Sequence, residues 1–545
     1  MMDENLVQLI EKTIKSNWHS AAFTDYKDQT RTYRDVGKSL LQIHGVFDKL
    51  KIQSTDKIAL LGKNSTNWAI SYLAIVTYGA TVVPILSDFH TKDIAHILKH
   101  SDSIILFADD SLFDDLESES ICDLEAVFSL NNFECLHAQK QKSLKKIAQA
   151  KESYEKQEAG ADDYSLPEIS NEKLASISYT SGTTGFSKGV MTTHNNLVAN
   201  IVYATQNMPI GPGDPILSFL PLAHSFGCAF EFLFPFCRGA HITFLNKIPS
   251  PRIILEAFGK VQPRLILSVP LILEKIYNKK IRPKLESQPI KSMLKIPGVK
   301  NIIYKKVKNN LMDAFGGNFF ELVIGGAPLN DQVEDFLKKI KFPFTIGYGM
   351  TECAPLISYT GWKEHRKKSV GKPVFTLDVK INSDNPAEEI GEIMVKGENL
   401  FQGYYKNEQA TSKNFENGWF HTGDLGLMDE DNFIYIKGRS KNMILGPSGQ
   451  NIFPNEIESK INNLPFVQES LVIQRENKLV ALVYPDYEVM DSKGKSESDL
   501  DNIMEKNRKK LNANLPHYSK VSKFELYPEE FEKSPTKKIK RYLYR

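Results

Sequence analysis

Apolar residues in this chain fall into two rhythms, short continuous runs and helical spacing. Lys57-Ile58-Ala59-Leu60-Leu61 has the length of a buried strand. Ser65 can cap a helix over Trp68 to Tyr78, and Gly79 can end it. Thr81 to Ile85 reads as the next strand, Asp93 to Lys99 as a helix, and Ile104 to Phe107 as a further strand. Strands separated by helices predict a parallel α/β sheet. Residues 138–165 carry many Lys, Glu, Gln and Ala and few large apolar side chains, so a solvated helix or a connector is expected. A strand over Ala175 to Tyr179 follows, and α/β units continue to about residue 360. Beyond Val370 the pattern turns β-rich, with strands at Leu377 to Ile381, Gly391 to Val395 and Phe433 to Lys437. The last hundred residues restart as a small α+β module. It has a helix near Asn455 to Ile461, strands at Gln468 to Ile473 and Lys478 to Tyr484, and a charged helix over Asp499 to Leu511.

Composition narrows the class. The 545 residues are enough for three or four folding units and more than one core. Lys+Arg and Asp+Glu number 68 and 66, so the +2 balance offers no bulk footprint for nucleic acid. The five cysteines have no C-x-x-C spacing, which argues against a structural zinc site and fits a reducing compartment. The acidic start, Met1 to Asn5, is not followed by the apolar core of a signal peptide. The longest apolar stretch, Trp68 to Tyr78, is interrupted by Ser71 and Thr77 and is too short to span a bilayer. A cytoplasmic protein is the expectation, with peripheral membrane contact left open.

The most informative segment is Tyr179-Thr180-Ser181-Gly182-Thr183-Thr184-Gly185-Phe186-Ser187-Lys188-Gly189. Its glycines let the backbone turn tightly and aim N–H groups inward. Hydroxyls at Thr180, Ser181, Thr183 and Thr184 add donors for phosphate oxygens, and Lys188 adds a point charge. The order differs from the nucleoside-triphosphatase loop, because Gly189 follows the lysine where that loop needs Ser or Thr. A flexible linker has the same hydroxyl and glycine content, but no reason to end in Lys-Gly-Val after a strand.

This loop resembles the phosphate loop of the adenylate-forming superfamily, which includes acyl-CoA synthetases, peptide-synthetase adenylation domains and firefly luciferase. The superfamily's other motifs follow in order, and the resemblance runs from about residue 20 to the C-terminus. Gly325-Gly326-Ala327-Pro328 resembles the turn that lies along adenine. In Gly347-Tyr348-Gly349-Met350-Thr351-Glu352, the resemblance implies that Tyr348 stacks on adenine beside Gly349, Thr351 contacts the α-phosphate and Glu352 holds Mg²⁺. An aromatic face suits a base, and a carboxylate oxygen suits Mg²⁺. Asp424, in Trp419 to Asp424, is the expected acceptor for the ribose hydroxyls, and Arg439 a second ribose contact.

Further along, Lys441 occupies the family's hinge position between two orientations of a small domain. Gly446 and Gly449 lie in a segment resembling the loop that enters the site for thioester formation. Near the end, Lys538 precedes Ile539 and aligns with the catalytic lysine, with Lys537 where many members carry glycine. Without the resemblance, this basic tail reads as a solvated charge run or a weak membrane patch.

Leu220-Pro221-Leu222-Ala223-His224-Ser225-Phe226-Gly227 discriminates among members. Amino-acid-activating domains carry an Asp here, and this chain does not. His224 resembles the acyl-CoA synthetase histidine near the acyl carboxylate. The apolar stretch Cys228 to Phe236 suits either an alkyl channel or a buried helix. Ser268 to Tyr277 resembles a segment of long-chain fatty acyl-CoA synthetases. The resemblance therefore implies an enzyme, an acid–thiol ligase. It would use ATP and Mg²⁺ to turn a fatty acid into acyl-AMP, releasing pyrophosphate, then transfer the acyl group to coenzyme A. The alternative is an acyl-AMP ligase or acyl-carrier-protein synthetase. The implied fold is α/β: a large N-terminal domain of α/β subdomains with a β-rich part (1–440), and a small mobile α+β C-terminal domain (441–545).

Overall fold

The computed structural model describes residues 1–545 except 141–142, 148–159, 181–187, 248–249, 447–449, 535–537 and 545. Three strands of one sheet, Lys57–Leu61, Thr81–Ile85 and Ser103–Ala108, form where the sequence predicts them, and Ala126–Ser129 joins them unmarked by the pattern. Lys57–Leu61, Thr81–Ile85, Ser103–Ala108 and Ala126–Ser129 lie parallel in one sheet. Leu174–Thr180 joins beside Thr81–Ile85 and is followed by the antiparallel Lys188–Thr193. Side chains alternate across this sheet, as a pleated strand requires. Ile58, Leu60 and Val82 enter one apolar core, and Ala59, Leu61, Val83 and Ile85 enter another on the opposite face.

Helix Thr66–Tyr78 is capped by Ser65, whose hydroxyl accepts the Trp68 N–H, and it stops at Gly79 in a left-handed conformation. It is buried from Thr66 to Thr77, so it needs no polar face. A second sheet runs Pro215–Ser218, His241–Phe244, Ala21–Asp25, Thr30–Thr32, and a third is the parallel set Leu265–Ser268, Glu321–Ile324, Phe344–Ile346. The β-rich part is organised by Trp419–Met428, which pairs with Gly391–Gly397 on one side and Ile434–Arg439 on the other. This central strand was not marked by the hydrophobic pattern, because Gly423 and Asp424 interrupt it. The expected connector over 138–165 falls largely outside the described residues.

The last part of the chain has its own cores. Val467–Arg475, Lys478–Pro485 and Val521–Leu526 form a sheet. One face carries Val472, Ala481 and Val483 against helices Pro454–Ile461 and Leu500–Asn512. The other carries Leu471, Val480 and Leu482 against Phe531, with Tyr544 packed alongside. The molecule is thus mixed α/β, with a large N-terminal part and a smaller C-terminal α+β part. The C-terminal tail is not a free basic segment. Lys533 pairs with Glu469 at 2.7 Å, and Arg541 is held by Glu458 and Asn455. No helix among the described residues is long and apolar enough to cross a membrane.

Candidate active site

Strands Leu174–Thr180 and Lys188–Thr193 form a hairpin that sets Thr180 opposite Lys188. The loop residues between them, including Ser181, Gly182, Thr183 and Thr184, lie outside the described residues. Lys188 Nζ sits 4.6 Å from the centre of the Tyr404 ring. Burial and the Lys441 charge push its pKa down, while Glu352 opposes them. The Tyr404 hydroxyl donates to Glu352 Oε1 at 2.9 Å, so one aromatic side chain joins the loop lysine to the acidic residue. Tyr404 was not singled out in the sequence. It reaches the site because the short strand Gly403–Tyr404 pairs with Met191 and Val190, a contact that no local pattern encodes. Glu352 is a single carboxylate steadied by one hydroxyl. That suits Mg²⁺, which usually takes one or two protein carboxylates together with substrate phosphates.

Asp424 is buried, and each of its oxygens is engaged. Tyr348 donates its hydroxyl to Oδ2 at 2.7 Å, and Arg439 Nε lies 2.9 Å from Oδ1. The pairing of Asp424 with Arg439 follows from antiparallel register. Carboxylate oxygens have two lone pairs each, so this arrangement leaves acceptor capacity for hydroxyl groups. Gly349 has no room for a side chain: a Cβ there would lie 2.3 Å from the Pro355 carbonyl oxygen. The chain turns at this point into Thr351–Cys353, which delivers Thr351 and Glu352 together.

The turn Gly325-Gly326-Ala327-Pro328 follows strand Glu321–Ile324. The Gly325 N–H donates to Ser268 O at 3.0 Å, and the Phe226 ring lies 3.0 Å from where a Cβ of Gly325 would be. Phe226 belongs to the His224 motif, so that motif and the turn are in contact. His224 Nδ1 accepts the Phe226 N–H at 3.3 Å, which puts the ring proton on Nε2. Burial, and then the charge of Lys538, push the His224 pKa down to about 4. The neutral ring therefore offers an N–H donor.

The loop bearing His224 is held from two sides. Asn64 donates to Leu220 O at 2.7 Å and accepts from Leu222 N at 2.9 Å. Glu231 Oε2 accepts the N–H groups of Phe219 and Leu220, both at 2.9 Å. Burial pushes the Glu231 pKa well up. Sequence reading took Glu231 only as part of an apolar run. Phe230, Phe232, Phe234 and Phe236 are fully buried, so most of that run is core. Only Cys228 and Ala229 reach a small cavity, lined also by Tyr72, Ala223, Ser225 and Thr351. The cavity measures about 20 Å³, room for a water rather than an alkyl chain. The Ser225 hydroxyl, on its wall, has no hydrogen-bond partner among the described residues.

Lys538 comes from the C-terminal part of the chain, and its charge reaches His224. Ser534 N–H donates to Lys538 O at 2.8 Å and Lys533 bridges to Ile539. Lys538 keeps solvent access but stands among protein groups. Partial desolvation and Arg439 lower its pKa, and Asp424 and Glu352 raise it. Lys441 is exposed on the turn Ser440–Asn442. Gly446 lies in a separate small hairpin, its N–H donating to Gln450 O at 2.8 Å, and Gly449 and Lys537 lie outside the described residues.

The family model for AMP-binding enzymes matches residues 10–405, and the chain belongs to that family. A long-chain-fatty-acid–CoA ligase of Mycobacterium bovis is 29% identical over 535 residues, covering 90% of this chain and 86% of the relative. A chloroplastic long-chain-fatty-acid–[acyl-carrier-protein] ligase of Arabidopsis thaliana is 27% identical, covering 84% of this chain and 72% of that protein. Among solved structures, o-succinylbenzoate CoA synthetase of Bacillus subtilis, bound to its acyl-adenylate, superposes with a TM-score of 0.76 at 21% identity. It covers 99% of this chain and 98% of its own. That likeness is one of fold.

Two predictions come from this geometry. Glu231→Gln keeps an acceptor oxygen for both N–H groups and should hold adenylation activity within about threefold, whereas Glu231→Leu orphans them and should cost roughly tenfold or more. Pyrophosphate release and thermal midpoints of both variants decide it, and equal losses would remove the bracing role. Second, an unfolded His224 takes up a proton near its ordinary value of 6.5, whereas the folded one does so only near 4. Between these pH values the unfolded state binds more protons, so acidification should destabilise the protein through this window. Replacing His224 with Asn should reduce proton uptake on unfolding at pH 5 by up to about one proton, measured against the parent.

Proposed function

We propose that the protein activates a fatty carboxylic acid with ATP and transfers the acyl group to coenzyme A. The observation that carries this reading is the convergence on Lys538 of two sets of groups. Asp424, Arg439 and Glu352 all act on its charge, and its charge in turn reaches His224. The relatives named above favour a long-chain acid.

In the first half-reaction a carboxylate oxygen forms a bond to the α-phosphorus of ATP, and the bond to pyrophosphate breaks. Negative charge builds on the transferring group, so catalysis rests on positioning and electrostatics. Lys538 supplies a cation and Thr351 a hydroxyl at that point. Lys188, Thr180, Ser181, Gly182, Thr183 and Thr184 cradle the leaving phosphates. Mg²⁺, held by Glu352, would neutralise phosphate charge when bound. Tyr348, Gly349 and the Gly325-Gly326-Ala327-Pro328 turn hold the base, and Asp424 and Arg439 hold the ribose. The His224 Nε2–H donates to the acyl carboxylate, which orients it for attack.

In the second half-reaction the CoA sulfur bonds to the acyl carbon, the bond to AMP breaks, and the thiol proton passes to solvent. We assign residues 1–440 to the adenylation domain and 441–545 to a lid that turns at Lys441. Separate apolar cores support that division, because a unit with its own core can reorient without unfolding. Gly446 and Gly449 then approach the site in the second orientation. The Arabidopsis relative favours a second reading, in which a carrier protein accepts the acyl group.

Lys538→Ala should lower pyrophosphate release on the order of a hundredfold while leaving thioester formation from preformed acyl-AMP nearly intact. Equal loss of both half-reactions would count against the lysine's assigned role. A coupled assay of pyrophosphate and CoA thiol across a fatty-acid series tests the substrate. Matched pyrophosphate release and thiol loss is the expected result. Pyrophosphate without thiol loss would move the acceptor to a carrier protein, and none with any acid would reject the fatty-acid reading.

A further inference from the structure

The connection between strands Leu265–Ser268 and Glu321–Ile324 has an unusual makeup. Over residues 277–310 it carries ten Lys and Arg against one acid, Glu286. The whole chain totals +2, so this segment at +9 leaves the rest at −7. Among the described residues, two of the ten cations are ion-paired, Lys279 with Glu488 and Arg282 with Glu286. The segment is helical, including Gln288–Met293 and Val299–Ala314, yet no residue from 277 to 310 is buried.

A charge run is ordinarily a solvated face. This one also displays large apolar side chains. Met293 is 45% exposed, Ile296 51% and Ile302 68%, set between Lys291, Lys295, Lys300 and Lys305. Apolar side chains studding a lysine-rich helical surface are the composition of an interfacial segment. There the apolar groups enter the acyl boundary and the cations meet headgroup phosphates. Protein–protein interfaces, by contrast, are depleted in lysine. We propose that the face over residues 288–307 docks the protein on an anionic lipid surface. This location replaces the C-terminal basic tail, whose Lys533 and Arg541 are paired within the fold.

The position has a consequence for the site. The segment leaves strand Leu265–Ser268 beside the nucleotide turn, because Ser268 O accepts the Gly325 N–H. Docking through it would set one wall of the cleft towards the bilayer. The proposal does not depend on which acid is activated, and its test does not use the acyl reaction as the primary readout.

The test is co-sedimentation of the full chain with phosphatidylglycerol vesicles and with phosphatidylcholine vesicles, at low and at high salt. Binding to phosphatidylglycerol that weakens with salt is expected. A surface cation contributes roughly fivefold to partitioning, so K291E/K295E/K300E should reduce binding on the order of a hundredfold. Ile296→Ser with Ile302→Ser should reduce it several-fold without changing the salt dependence. Thermal midpoints of both variants should match the parent, since none of these residues is buried. No binding to phosphatidylglycerol, equal binding to both lipids, or an unaffected lysine variant would overturn the proposal. Unaltered binding by the isoleucine variant would also overturn it, reassigning the face to soluble polyanions or an acidic protein.

Discussion

The arrangement of charge around Lys538 is the constraint on which the site depends. Lys538 is exposed, and its charge is felt by a neighbouring cation and by neighbouring carboxylates. Asp424 and Glu352 are the carboxylates, and Arg439 is the cation, itself held by Asp424. The two halves of this balance come from parts of the chain with separate apolar cores. Lys538 therefore meets the charges of Asp424, Glu352 and Arg439 across elements far apart in the chain.

Around this cluster, small residues and buried polar groups fix the loops. Gly349 admits the Pro355 carbonyl, and Gly325 leaves room for Phe226, so the turn after strand Glu321–Ile324 packs closely on the His224 motif. Glu231 and Asn64 give the His224 loop its backbone partners in a region otherwise filled by phenylalanine. A loop running over an apolar core has no water to satisfy its N–H groups, so these carboxyl and amide side chains stand in for it. The same core closes the neighbouring cavity to about 20 Å³.

Much of the fold was legible in the chain. Helix Thr66–Tyr78 began and ended where Ser65 and Gly79 said it would, because capping is local chemistry. The parallel strands were legible because their apolar runs are continuous. Strand Trp419–Met428 was not, because its middle is given over to Gly423 and Asp424. The alkyl-channel reading of Cys228 to Phe236 gave way to core packing for all but Cys228 and Ala229. A phenylalanine-rich run has the same pattern in a channel wall as in a core, and only its neighbours distinguish them. The charge concentration over residues 277–310 was hidden by a whole-chain balance near zero.

By itself the sequence determined the α/β class, the order of the motifs and the family to which the chain belongs. These rest on local signals, namely strand-length apolar runs, capping residues, and glycines and hydroxyls at fixed spacing. The tertiary structure decided what those motifs touch. It set Tyr348 and Arg439 on the two oxygens of Asp424 and put Tyr404 between Lys188 and Glu352. These contacts join residues from 15 to more than 200 positions apart. Strand register and the packing of separate cores create them, and neither is written in any short stretch of the chain.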